Sequence, residues 1–171
     1  RYYGMSVYYG YNLSGGGLNA LHVGNETRVA GTFQYYEAGG VWQVTDVKYR
    51  AMKPDDPDNL RKLAEGKTPA YQKLTAAGAL LEDSSAELQG LTVESAETLT
   101  AKDGTVSLLL DCRQNGETVR IRTLAAQNVA ETLLPAEAYL HHQVDVKGMI
   151  QCGEEGAYLL VFQPEKLVLH P

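Results

Sequence analysis

The sequence predicts a mainly β chain: two five-stranded Greek-key barrels, the first truncated at its N-terminus, joined by an α-helical linker. Three observations carry this. Apolar and polar residues alternate in short runs, and glycine-bearing turns separate those runs. One strand–turn–strand pattern also recurs, with Gly31 and Gly148 standing 117 positions apart in its two copies. The expected layout is a partial barrel over 1–54, a helical linker over 55–85 and a complete barrel over 86–171.

The elements follow in order. The first module opens with an alternating run, Met5-Ser6-Val7-Tyr8-Tyr9. An irregular stretch containing Gly15-Gly16-Gly17 reads as a flexible loop, because no lysine or clear helix start follows to make it a phosphate cradle. Strands follow at 28–33 and 41–47, around the turn Tyr36-Glu37-Ala38-Gly39-Gly40. In the linker, Asp58 is placed to cap a helix over 59–65 that stops at Gly66. Ala70, Leu74, Ala77 and Leu81 then recur at helical spacing, so helix is expected within 58–82. The second module offers strands at 91–96, 106–111, 119–123, 145–150 and 157–160. Its 125–140 segment has the composition of a short helix broken near Pro135.

The two copies align in order. Met5–Tyr9 falls on 119–123, 18–22 near 138–142, 28–33 on 145–150, and 41–44 on 157–160, the last two differing by a single gap. Gly31 and Gly148 each sit inside a strand with no side chain to pack, which suggests a bulge or bend. Five strands with a helical insert after the third resemble the OB arrangement. "Val-Gly-Asn-Glu-Thr-Arg-Val-Ala-Gly-Thr-Phe" (23–33), "Trp-Gln-Val-Thr-Asp-Val" (42–47) and "Ala-Glu-Leu-Gln-Gly-Leu-Thr-Val" (86–93) are similar to OB modules, here a tandem pair, of secreted bacterial proteins including extracellular nucleases. That resemblance implies an extracytoplasmic location, secreted or surface-anchored.

Composition narrows the functions. The net charge is −6, and it is unevenly spread. Residues 1–54 hold five basic and three acidic groups, while 91–171 hold six and eleven. An acidic second module repels phosphate, so only the first remains electrostatically open to nucleic acid. Cys112 and Cys152 form no CxxC pair, and the adjacent His141 and His142 would point to opposite strand faces, so no metal is expected. Asp46, Glu94, Asp111 and Asp145 lie on separate strands with no motif joining them. No nucleophile elbow, Walker loop or dinucleotide fingerprint is present. No enzyme activity or cofactor is therefore expected. No apolar run is long enough to insert in a membrane.

Tyrosine is abundant, 11 against two Phe and one Trp. Alternation turns Tyr2, Ser6 and Tyr8 away from the core positions Met5 and Val7, matching Arg120 and Arg122 in the second copy. In OB proteins the outer surface of strands two and three, with the loop joining strands four and five, binds ligands. Here that loop is expected to contain Tyr35 and Tyr36. Tyr2, Ser6, Tyr8, Tyr35, Tyr36, Arg120 and Arg122 are thus the candidate ligand-binding residues, against the alternative that Tyr simply suits solvated β-surfaces.

A non-enzymatic accessory or interaction module of a larger exported bacterial protein ranks first. Its partner would be another protein or the rest of its own polypeptide. A binding module for single-stranded nucleic acid or an oligosaccharide ranks second. Both cysteines are expected to be free, since the second and fourth strands of this topology are not neighbours. The first module supplies only the counterparts of strands three to five. Met5, Val7, Val29, Phe33 and the 41–47 strand therefore need a cover, and residues upstream of Arg1 are expected to provide it, ahead of the linker helix or a second copy.

Overall fold

A computed structural model describes residues 5–8, 16–37, 41–45, 60–80, 85–124, 133–153 and 156–171. They divide into two compact units, Met5–Ala70 and Tyr71–Pro171. The first contains β1 (Ser6–Tyr8), β2 (Glu26–Val29), β3 (Thr32–Tyr36), β4 (Val41–Thr45) and β5 (Leu60–Ala64). The second contains β6 (Gln72–Lys73), β7 (Ser85–Thr100), β8 (Val106–Gln114), β9 (Glu117–Thr123), β10 (Gln143–Gly153), β11 (Gly156–Val161) and β12 (Leu167–His170).

The Tyr71–Pro171 unit is a closed OB barrel, and its strand order defines it. β7 pairs antiparallel with β8, and β8 antiparallel with β9. β9 runs parallel to β11, β11 antiparallel to β10, and β10 antiparallel to β7, which closes the cylinder. Period-2 alternation fills the inside. Leu88, Leu91 and Val93, Leu110 and Cys112, Ile121, Val144 and Ile150, and Leu159 are fully buried in one cluster. A 3-10 turn at Ala136–Ala138 puts Ala136 and Tyr139 into the same cluster. Burial pushes the Tyr139 hydroxyl above the ordinary tyrosine range.

Closure requires bending. A straight strand of 16 residues would reach about 53 Å, far beyond a small barrel. β7 therefore pairs with β10 in its first half and β8 in its second, and turns at Gly90. Its inward positions change there from even (Ala86, Leu88) to odd (Leu91, Val93). Gly90 has φ +66°, where a side chain would be strained, and its N–H donates to Asp145 Oδ1 at 2.8 Å. The β8–β9 hairpin turns on Asn115 and Gly116, both at positive φ, as a two-residue turn of this hand demands.

The ladders of the two units follow a similar pairing pattern. β1 runs parallel to β4 as β9 does to β11, and β3 antiparallel to β4 as β10 does to β11. The pair Phe33–Val44 corresponds to Ile150–Leu159, with Gly31 opposite Gly148 in the alignment. Two details differ from the sequence alignment. β4 matches β11 one residue out of the expected register, because Gln43 takes the place of Tyr158. The bend at Gly31 splits β2 from β3, whereas β10 runs on through Gly148.

Among the described residues the linker is not α-helical. Leu60–Ala64 is a strand antiparallel to β2, and it repeats β12 on β10: Val29–Leu60 corresponds to Val146–Leu167. Leu60 and Ala64 are four apart, a spacing shared by helix and strand. So short a helix would be marginal alone, whereas pairing with β2 satisfies the backbone directly. Residues 69–81 also lack α-helix where described. They contribute β6 and a 3-10 turn at Ala76–Leu80, with Gly78 weakening helical preference and Ala76 N–H donating to Gln114 Oε1 at 2.9 Å.

Other elements shift as well. Of the helix expected over 125–140, only the 3-10 turn after Pro135 is seen, and 125–132 lie outside the described residues. Gly16–Leu21 is a 3-10 helix rather than an open loop, and Ala20 O accepts from Thr27 Oγ1 at 2.7 Å. No helix among the described residues is long and apolar enough to cross a membrane.

Neither Cys112 nor Cys152 forms a disulfide, as expected. Cys112 pairs with Val93 and Val119, Cys152 with Ala157. Burial, then the negative charges of Asp111 and Glu94, push the Cys112 thiol up to about 12. At about pH 8 roughly one Cys112 in ten thousand is thiolate. A thiol reagent is therefore expected to label half-buried Cys152 in the native protein and Cys112 only after denaturant is added. Equal labelling of both in the native state contradicts this packing.

Candidate functional site

The Met5–Ala70 unit presents a three-stranded sheet in the order β1-β4-β3. Residues directly opposite share a face, so the ladder sorts the side chains. Val7, Val44 and Phe33 lie on one face, together with Tyr35 and Trp42. Ser6, Gln43 and Gln34 lie on the other, as do Tyr8 and Tyr36. Phe33 stacks on Trp42 with ring centres 4.7 Å apart and planes 5° apart, and Tyr35 tilts against the same indole at 5.3 Å.

The repeat identifies that first face. Val7, Val44 and Phe33 occupy the positions of Ile121, Leu159 and Ile150, the innermost side chains of the closed barrel. Ile150 is 0% exposed, yet Phe33 is 58% exposed and Trp42 38%. The face is thus a barrel interior with no β7 and β8 counterparts among the described residues. Only Ala20 and Leu60 are buried apolar side chains in this unit, again among the described residues. The result is an exposed aromatic platform, where large apolar side chains at core positions normally have cover.

The seven candidate residues do not assemble into one site. Tyr35 and Tyr36 belong to β3 rather than to a loop, so they point to opposite faces. Tyr8 and Tyr36 share a face but sit at opposite corners of the sheet, about 16 Å apart from the ladder spacings, too far to hold one ring between them. Ser6 lies between them on the edge strand, half-buried. Tyr2 lies outside the described residues. Arg120 and Arg122 are on the outer surface of β9 in the other unit.

There, Arg120 Nε donates to Asp111 Oδ1 at 2.8 Å, and Arg113 Nε to Glu94 Oε1 at 2.6 Å. Arg122 is exposed. Two of the three arginines on this surface are thus matched by carboxylates, which leaves little positive field for a phosphate chain. The Arg120 hydrogen bond holds the Asp111 carboxyl below the ordinary aspartate range; the charge of Arg120 and a hydrogen bond from Ser95 act the same way, against partial burial. With the folded value depressed, this contribution to stability is complete above the unfolded pKa of about 3.9 and disappears as pH falls through the lower folded value. An NMR titration should place Asp111 below an exposed aspartate. Asp111→Asn should lose less stability than the parent on acidification in that window. A midpoint at or above the ordinary value refutes the assignment.

Sequence reasoning assigned Phe33 to a buried core and gave Trp42 no role. A signal existed. The repeat alignment sets Phe33 against Ile150, and the true register sets Trp42 against Ala157, so aromatic side chains replace smaller ones at core positions of one copy alone. Among the described residues, no three His, Cys, Asp or Glu side chains gather as a metal would require.

No protein-family model and no curated protein matches the chain. Among solved structures, it is similar to the second OB-fold domain of replication protein A from Methanococcus maripaludis, at 15% identity and a TM-score of 0.38, over 57% of this chain and 94% of that one. A candidate aspartyl-tRNA synthetase from Leishmania major Friedlin shows 12% identity and a TM-score of 0.39, over 63% of this chain and 22% of that one. A replication protein A heterotrimer bound to single-stranded DNA shows 10% identity and a TM-score of 0.40, over 86% of this chain and 34% of that one. The chain therefore spans about a fifth and a third of the latter two. The OB assignment rests on the strand order itself.

Proposed function

We propose that the protein is a non-enzymatic interaction module of a larger exported bacterial protein, and that it acts by presenting the Phe33–Trp42 face to another protein or to the rest of its own polypeptide. One observation carries the reading: Phe33 is 58% exposed at the position where Ile150 is fully buried. Apolar area left in water forgoes about 25 cal/mol per Å² of stabilisation, which makes a protein cover favourable. Export, inferred from the OB resemblance, is part of the same proposal and is tested by cell fractionation.

A second reading has an observation of its own. The Phe33–Trp42–Tyr35 stack has the form of a platform for a base or a sugar ring. Charge weighs against nucleic acid, since residues 5–70 hold seven basic and seven acidic groups and 71–171 hold seven and fourteen. Trp42 is the single tryptophan and reports directly on the face. Its emission is expected to be unchanged by a thymidine oligonucleotide or by neutral oligosaccharides at low salt. Saturable quenching by either transfers the function to the second reading.

A further inference from the structure

We infer that the occupant of the Phe33–Trp42 face is a two-stranded antiparallel β-hairpin that closes the Met5–Ala70 sheet into a second OB barrel, an inference that rests on the interaction-module function proposed for the same face. The closed barrel shows what the open one lacks. Going round it, β9, β11 and β10 are followed by β7 and β8 before the cylinder returns to β9. In the open unit β1, β4 and β2–β3 hold the places of β9, β11 and β10. Among the described residues the gap is two strands wide, so a single added strand leaves it open.

The pairing of the occupant follows from the same correspondence. β7 is antiparallel to β10 over 143–149, which maps onto 26–32 across β2 and the start of β3. β8 is antiparallel to β9, with 109–112 opposite 119–122, which maps onto Met5 to Tyr8. β7 and β8 are antiparallel to each other. The occupant therefore runs antiparallel to β1 and to the β2–β3 edge, and presents alternate apolar side chains inward, as Leu88, Leu91, Val93, Leu108, Leu110 and Cys112 do in the closed barrel.

Area distinguishes this occupant from a second copy. The β1-β4-β3 face measures roughly 14 by 17 Å from strand spacing and rise, so two copies face to face bury on the order of 500 Å² in total. Stable interfaces start near about 1,200 Å². A hairpin instead adds a backbone ladder at each of two sheet edges, which a copy stacked on the face does not.

The test uses the full chain with Trp42 as reporter. Residues 85–118 are placed directly before Met5, because Met5 aligns with Val119 where β8 leads into β9. Trp42 emission is expected to move to shorter wavelength, acrylamide quenching to fall several-fold, and the chain to remain monomeric. Phe33→Asp in the extended chain should reverse these changes. A synthetic hairpin of residues 85–114 added in trans to the unextended chain should give the same shift with saturation, which keeps the test decisive if the extension misfolds. No protection of Trp42 in either format overturns the hairpin. Protection that instead grows with concentration of the unextended chain overturns it in favour of a second copy. If the hairpin fails while oligonucleotide and oligosaccharide also leave Trp42 unchanged, the interaction-module function stands; if either ligand quenches Trp42, both fall.

Discussion

Gly148→Ala is expected to lower the melting temperature of the Tyr71–Pro171 barrel by about 15 °C, from a destabilisation of about 3 kcal/mol or more. An added Cβ would collide with the carbonyl oxygen of Leu160 and sit 2.6 Å from Leu159 Cδ2 and 2.9 Å from the Leu160 carbonyl carbon. Two of these neighbours are backbone, so no rotamer change relieves the clash. β11 must move away from β10, and that ladder is one of those closing the cylinder. Thermal denaturation followed by far-UV circular dichroism reads the effect. A change below about 1 kcal/mol, the size typical of an ordinary point substitution, contradicts so close an approach of β10 and β11.

Ile150→Ala and Phe33→Ala occupy corresponding positions, yet their expected outcomes differ. Ile150 is fully buried, so its truncation leaves a cavity and costs about 3 kcal/mol, within the usual 2–5 for such deletions. Phe33 is 58% exposed and its main neighbour is the Trp42 ring, so its truncation should cost no more than about 1 kcal/mol, the worth of an aromatic pair. Urea unfolding of each variant, with Trp42 emission for the first unit and far-UV dichroism for the second, separates the two. Equal losses would show that Phe33 has a buried environment in solution and that its face is already covered. With the hairpin extension in place, the cost of Phe33→Ala should rise toward that of Ile150→Ala.

Much of the closed barrel was legible in the residues. Strand alternation marks Val119 and Ile121 as inward, and both are buried. Asn115-Gly116 is legible as a turn because few other pairs accept positive φ at both positions. Phe33 and Ile150 keep the same distance from Gly31 and Gly148, which is how the sequence alignment sets them side by side. The ligand set was less so. Tyr35 and Tyr36 were placed in a loop because the glycines after them blur where β3 ends, and that boundary decides which face each ring takes.

The local preferences of the chain, by themselves, determined which residues alternate, where it turns and which positions face a barrel interior. They act over two to four residues, and the pleat and the turn are set at that range. Three matters were settled only by tertiary structure. Leu60–Ala64 became a strand because β2 offered an unpaired edge, and a four-residue spacing alone serves helix and strand equally. β7 became one bent strand shared by two neighbours because closing a cylinder forces a bulge at Gly90, which no local pattern requires. And Phe33 stayed in water while Ile150 did not, because burial belongs to the partner surface: the same inward position is core where β7 and β8 lie over it and an exposed platform where the described chain provides neither.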